Sequence, residues 1–356
     1  MTNDAAVRSA LTAFLPEADA SSLRPLGEGL INTTFRASTP DGKAYVLQRV
    51  NTKVFPDPDA VMRNTLRVTG WMRDRLRGEG IDPTRRVPEF LPMANGAYLY
   101  RAANAAGEPS VWRCSRLIEG ASAHTVLSDP HLLYEAGRGY GDFQRLLDGF
   151  PARELAEVLP GFHDTRKRFS AFLDAVERDP AGRAKDAEQE IAYLREREAF
   201  AGEVVSLLET GVLPLRVTHN DTKLSNVLLD DMTGEAVCVI DLDTVMPGTV
   251  LYDFGDAIRS GAASAAEDEP VTERMNFLPA YCEAFRKGFL ERCGDILLPV
   301  ERENLMLGAR MIVFEQAVRF LTDHLEGDVY YQTAYPGHNL VRARTQIRLF
   351  GQLPEE

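Results

Sequence analysis

Apolar positions along this chain follow two periods, a strand-like one that dominates the first third and a helical one that dominates the rest. Residues 5–14 space their apolar side chains at helical intervals and stop before Pro16, which predicts a short amphipathic helix. Residues 26–36 read as strand, glycine turn and strand, with Gly27 and Gly29 in the turn. Asp41-Gly42 then turns the chain into a strand over 44–50. A long helix is predicted for 57–77, with Pro58 at its start and Val61, Met62, Leu66, Trp71 and Leu76 as apolar positions, Trp71 reading as a packing residue. Two strands, 97–101 and 111–118, flank a polar turn at 104–107.

From Asp129 onward the helical period takes over. Helices are predicted at 129–147, 164–177, 186–210, 276–290 and 301–325, the third densely charged. His131 and His163 read as cap or surface residues of their helices. Strand patterns return only at 227–229 and 237–240, joined by a turn over 231–235 that predicts a hairpin.

Composition narrows the possible partners. A chain of 356 residues has room for two lobes, and 44% hydrophobic with 26% charged residues is ordinary for a globular protein. Forty Lys and Arg against 53 Asp and Glu leave a net charge of -13, a field that repels nucleic acid and anionic lipid. ATP with Mg²⁺ stays compatible, because a local cation site overrides the global field. Cys114, Cys238, Cys282 and Cys293 form no CxxC pair, which argues against a disulfide framework or a zinc site. No segment approaches the ~20 apolar residues of a membrane span and the first residues lack a signal-peptide pattern, so a cytoplasmic location is expected.

Candidate chemistry concentrates in residues 217–259. His219-x-Asp221 is followed by Asn226 five residues after the aspartate, and Asp241 ends a short β-branched run. Transfer of a γ-phosphoryl group needs a carboxylate to orient the attacking hydroxyl and oxygen ligands to hold Mg²⁺ on the phosphates. Asp221 at the H-x-D position suits the base, while Asn226 and Asp241, at the two ends of the hairpin, suit the metal. The glycines at 27 and 29 suit a phosphate-binding loop. Kinases place a lysine on the strand that here reads Gln48-Arg49, and a glutamate on the helix that follows. Residues 57–77 contain no glutamate. Alternate strand residues face opposite sides, so one of Gln48 and Arg49 points to the phosphates; Gln48 is in register with the usual lysine and Arg49 carries the charge.

HNDTKLSN, IDLDTVMPG and YDFGDAIRSGA resemble the catalytic and metal-binding motifs of the aminoglycoside phosphotransferase and choline kinase superfamily. Their wording is nearest to the N-acetylhexosamine 1-kinases, as are Leu47-Gln48-Arg49-Val50-Asn51, Phe162-His163-Asp164-Thr165 and Arg319-Phe320-Leu321-Thr322-Asp323. The resemblance implies an α+β, two-lobed protein-kinase-like fold. A small N-terminal lobe with an antiparallel sheet would span 1–117, a hinge 116–120, and a large, mostly helical C-terminal lobe 118–356. It implies main-chain contacts to adenine near Leu117 and Glu119, supporting roles for His219, Asp243 and Asp253, and sugar contacts from Arg319 and Tyr330. The implied reaction is ATP- and Mg²⁺-dependent phosphorylation of the anomeric hydroxyl of N-acetylglucosamine or N-acetylgalactosamine. Alternatives are a kinase of another alcohol, such as choline, homoserine or an aminoglycoside, and a nucleotide-binding pseudoenzyme. Arg319 could instead pair with Asp323 one helical turn away. Oligomeric state is not legible.

Overall fold

Strand-period alternation in the first third builds β1 (Arg24–Pro25), β2 (Thr33–Ser38), β3 (Ala44–Val50), β4 (Tyr100–Ala103) and β5 (Pro109–Arg116), an antiparallel sheet in the order β1-β2-β3-β5-β4. Tyr45, Leu47, Trp112 and Cys114 share one face with Val7, Ala10, Leu11 and Phe14 of α1 (Ala5–Phe14). The opposite face carries Gln48, Val111 and Arg113, with Met62 of α2 (Pro58–Gly78) packed on Val111. Asp57 caps α2 by accepting from the Ala60 amide at 2.9 Å, and Pro58 occupies the first turn, where its missing N–H costs nothing.

The computed structural model describes residues 5–27, 31–103, 107, 109–125 and 129–355. Its contacts divide the chain into a first unit of residues 1–123, 154–159 and 228–246, and a second unit of 124–153, 160–227 and 247–356. The remaining strands are β6 (Ala121–Ala123), β7 (Arg216–Thr218), β8 (Val227–Asp230), β9 (Ala236–Val239) and β10 (Met246–Gly248). A three-stranded sheet runs β6-β8-β9, and β7 pairs with β10. The β8–β9 turn closes through Asp230 N–H to Glu235 O at 2.9 Å, as its sequence predicts.

The second unit is helical: α3 (Pro130–Leu146), α4 (Thr165–Arg178), α5 (Glu188–Arg195), α6 (Glu203–Glu209), α7 (Val250–Gly261), α8 (Pro279–Cys293), α9 (Pro299–Glu303), α10 (Leu305–Glu326) and α11 (His338–Phe350). The fold is therefore α+β, an antiparallel sheet in the N-terminal region followed by a mostly helical remainder. Among the described residues no helix is long and apolar enough to cross a membrane. Helix α7 meets α10 at two glycines. A Cβ on Gly255 would lie 2.4 Å from Gly308 O, and one on Gly308 would lie 2.3 Å from Leu251 O, so only glycine permits this approach. The crossing seats α7, the helix that organises the site below.

Several elements differ from the sequence expectation for identifiable reasons. The helix predicted over 186–210 is broken into α5 and α6. Arg197 donates its guanidinium to Tyr193 O at 2.7 Å, the carbonyl an α-helix would give to the Arg197 amide, and that amide bonds Leu194 O instead. The chain thus tightens to three-residue spacing. Similarly, Asn304 divides the helix predicted over 301–325, its side-chain amide taking Val300 O at 2.7 Å. Helix α8 starts at Pro279 rather than 276, while α7 and α11 were not expected. Trp71 is 36% exposed and does not belong to the core. Of the polar turn expected at 104–107, residues 104–106 lie outside the described residues.

Candidate active site

After β7 the chain enters a loop, 219–226, whose main chain is held by two carboxylates from one face of α7. Asp253, 1% exposed, accepts the His219 amide at 3.0 Å, the Asn220 amide at 2.8 Å and the Gln144 side-chain amide at 2.9 Å. One turn later Asp256 accepts the Thr222 amide at 2.8 Å. Thr222 Oγ1 donates to Asp253 O at 2.5 Å, and Tyr140 O–H donates to Lys223 O at 2.9 Å. Residues 219, 220, 222 and 223 are therefore tied down through their backbone, and Thr222 through its hydroxyl as well. Asn220 takes a left-handed backbone, φ +65°, which asparagine tolerates better than most residues.

Burial pushes the Asp253 carboxyl above its ordinary value, against the opposing pull of His219 and the amide donors. Burial acts on Asp256 in the same direction, but the Arg259 guanidinium at 2.9 Å outweighs it and holds that carboxyl low.

With its main chain fixed, the loop's side chains are free to be aimed. Asp221 Oδ2 accepts from Lys223 Nζ at 2.8 Å and from Asn226 Nδ2 at 2.9 Å. The Asn226 amide nitrogen is thereby spent, and its oxygen is the atom left to meet a cation. His219, fully buried, lies edge-on to Tyr140 and Phe143 at ring separations of 5.5 and 5.8 Å, and its Nδ1 accepts the Asp221 amide at 3.3 Å. It is a packing residue that also shapes the loop. Lys223 and Asp256 were not singled out from the sequence, although both stand inside the quoted motifs.

In the first unit, Asp241 leaves β9 in a left-handed conformation, φ +61°, and opens the turn over Leu242–Thr244. Asp243, 3% exposed, is ion-paired through Oδ1 with Arg113 Nη1 at 2.5 Å, and its Oδ2 accepts Asn32 Nδ2 at 2.7 Å. Gln48 shares the sheet face of Arg113 and accepts its Nε at 2.8 Å, whereas Arg49 donates to Thr33 Oγ1 at 3.0 Å on the Trp112 side. Gly27 has φ +70°; Gly29 lies outside the described residues. The Leu117 amide donates to Ala44 O at 3.0 Å, which leaves its carbonyl as the main-chain group able to meet a ligand. Glu119 is exposed, 3.9 Å from Arg36.

Among the described residues no three His, Cys, Asp or Glu side chains are grouped to hold a metal alone. Asn226 offers an amide oxygen and Asp241 a carboxylate, each a hard donor of the kind Mg²⁺ prefers.

A separate cluster surrounds Arg319 in the second unit. Its guanidinium lies over the rings of Phe162, Tyr331 and Tyr330 at 5.2, 5.6 and 5.9 Å, and donates to Gln316 Oε1 at 3.2 Å. Asp323 is not its partner. Both Asp323 oxygens are occupied by the amides of Val329, Tyr330 and Tyr331 and by Asn339 Nδ2, at 2.7 to 3.0 Å. Tyr330 itself is 65% exposed. His163 is not a cap or surface residue: its ring is buried between Phe162 and Tyr252, with Nδ1 2.9 Å from Glu315 Oε1, and Asp164 is the residue that caps α4. Arg168 lies close enough that burial and the Arg319 charge together lower its pKa.

Comparison with known proteins accords with this arrangement. A family model described as a phosphotransferase enzyme family matches residues 22–292. An amicoumacin kinase in complex with AMP-PNP, Ca²⁺ and its ligand superposes with a TM-score of 0.61 at 13% identity, over 96% of this chain and 92% of that one. A spectinomycin phosphotransferase with ADP and spectinomycin gives 0.59 at 12% identity, over 99% of both chains. A choline/ethanolamine kinase family protein from Mesorhizobium loti gives 0.52 at 19% identity, again over 99% of both. At such identities these likenesses establish a shared fold.

Proposed function

Because the chain belongs to the phosphotransferase enzyme family, we propose that it transfers the γ-phosphoryl group of ATP to the anomeric hydroxyl of an N-acetylhexosamine, N-acetylglucosamine or N-acetylgalactosamine. The observation that carries the transfer is Asp221, a half-buried carboxylate on a clamped loop with Lys223 at 2.8 Å and Asn226 at 2.9 Å. Asp221 accepts the hydroxyl proton as the sugar oxygen bonds to phosphorus and the bond from phosphorus to the β,γ-bridging oxygen breaks, releasing ADP. Lys223 places a positive charge beside the oxygens that gain negative charge. Asn226 and Asp241 would hold Mg²⁺, which would supply positive charge to offset that of the phosphates.

The amides near Gly27 and Gly29 and the Gln48 face of β3 serve the phosphates, with Arg49 turned away. The Leu117 carbonyl and the Glu119 amide, two residues apart, offer the acceptor and donor that an adenine edge requires. Asp253 supports Asp221 through the loop main chain, as His219 does through packing, and Asp243 supports Asp241. Arg319 and Tyr330 present donors to the hydroxyls and N-acetyl carbonyl of a neutral sugar. The positive pair Arg319 and Arg168 repels an ammonium acceptor, which favours a neutral one. Use of ATP fits a cytoplasmic location.

A coupled assay of ADP release across a panel of sugars and amino alcohols tests this reading. N-acetylhexosamines should be turned over with the highest kcat/KM, and the product should be a 1-phosphate by NMR. Preference for choline, ethanolamine or homoserine, or phosphate at O6, would overturn the acceptor while leaving the transfer site in place.

A further inference from the structure

The chain lacks a lysine on β3 and a glutamate on α2, yet one buried ion pair ties the sheet to the turn that carries Asp241. Arg113 and Asp243 are 4% and 3% exposed and 2.5 Å apart. Arg113 also grips the Gln48 side-chain oxygen with Nε at 2.8 Å and Nη2 at 2.5 Å, and Gln48 Nε2 donates to Thr34 Oγ1 at 3.1 Å. The second Asp243 oxygen receives Asn32 Nδ2 at 2.7 Å, and Asn32 Oδ1 accepts the Asn51 amide at 2.9 Å. Beyond Asp243, Asn64 of α2 donates to Val245 O at 2.9 Å, so the turn is also held from its far end.

We infer that Arg113 is a positioning residue for the metal-binding aspartate: with Asn32 it fixes Asp243, and through Asp243 it holds Asp241 in its left-handed backbone conformation. The reasons are geometric. A non-glycine residue at φ +61° persists only where its surroundings over-determine it, and Asp243, two residues on, is the anchor that two donors from the sheet side converge upon. A planar guanidinium presents separate nitrogens to Gln48 and Asp243 in a fixed fork, a geometry that the single nitrogen of an ammonium does not reproduce. This inference rests on the proposed role of Asp241 as a Mg²⁺ ligand.

The test compares Arg113→Lys, Asn32→Ala and Asp241→Ala in the full chain. Two readouts are used: Mn²⁺ binding to the ADP complex, followed by the EPR signal of the free ion, and turnover as a function of Mg²⁺. Arg113→Lys should weaken Mn²⁺ binding about 10- to 100-fold, the usual cost of losing a group that orients a ligand, with turnover recovering at high Mg²⁺ and KM for the acceptor unchanged. Asn32→Ala, which removes only a neutral donor, should shift binding in the same direction by less; it carries the test if Arg113→Lys does not fold. Unchanged metal binding in the folded variants, with Asp241→Ala inactive, overturns the inference alone. Wild-type metal binding and turnover in Asp241→Ala overturn the metal reading on which it rests.

Discussion

Two loops of the second unit are held by the same device and expose their side chains to different ends. Asp253 on α7 collects the amides of His219 and Asn220 and the side-chain amide of Gln144. Asp323 on α10 collects the amides of Val329, Tyr330 and Tyr331 and the side-chain amide of Asn339. In each case a buried carboxylate satisfies a run of backbone donors that would otherwise be stranded, so the loop's side chains are not needed to satisfy those amides. The difference lies in what those side chains are. The first loop aims a carboxylate, an amide and a lysine suited to chemistry, whereas the second lays Tyr330 and Tyr331 against the Arg319 guanidinium, an arrangement suited to holding a ligand. A common clamp therefore carries opposite functional expectations: damage to one should act on kcat, and damage to the other on KM.

The largest effect is expected from Asp253→Ala. It strands buried donors at the catalytic loop, so turnover should fall by more than about 10²-fold while stability falls on the order of 3 kcal/mol, read by steady-state kinetics and denaturant unfolding. Asp221→Asn sharpens the contrast by sparing the clamp. It should lower kcat by about 10² to 10⁴ with an unchanged melting temperature, and near wild-type turnover in the folded variant would remove Asp221 from the role of base.

At the other loop, Asp323→Ala and Arg319→Ala should each raise the acceptor KM, by about tenfold or more, while kcat at saturation stays within a few-fold of wild type. Only Asp323→Ala should also lower stability, since it alone strands main-chain amides. Equal losses of kcat from both clamps would break the comparison.

The smallest effect concerns a third buried carboxylate, Glu315, which accepts Thr165 Oγ1 and His163 Nδ1 and holds no main chain. Burial would raise its pKa, but His163 and Arg319 outweigh burial and lower it below 4.5. A lowered folded-state pKa gives stability that is present above the ordinary Glu value and lost as pH falls through the folded one. The stability gap between wild type and Glu315→Gln should thus be constant at neutral pH and narrow below about pH 4.5, as followed by thermal melts. Asp253, with a raised value, carries the opposite sign.

Much of the site was legible because its chemistry is local in the chain. His219, Asp221 and Asn226 lie within eight residues, and the β8–β9 hairpin follows from β-branched runs around a polar turn. The antiparallel sheet and α2 were equally readable, since period-2 alternation and an Asp-Pro helix start are properties of neighbouring residues. No such signal marked the partners of Arg113, which lie 65 and 130 positions away in Gln48 and Asp243, nor the turning of Asp323 toward residues 329–331 instead of Arg319. The break at Arg197 belongs with these: propensity favoured a continuous helix, and one guanidinium competing for a carbonyl ended it. Spacing determines which groups can act together along a strand, loop or helix. Which buried charge meets which was decided only when packing removed water and each donor had to find its acceptor among residues distant in sequence.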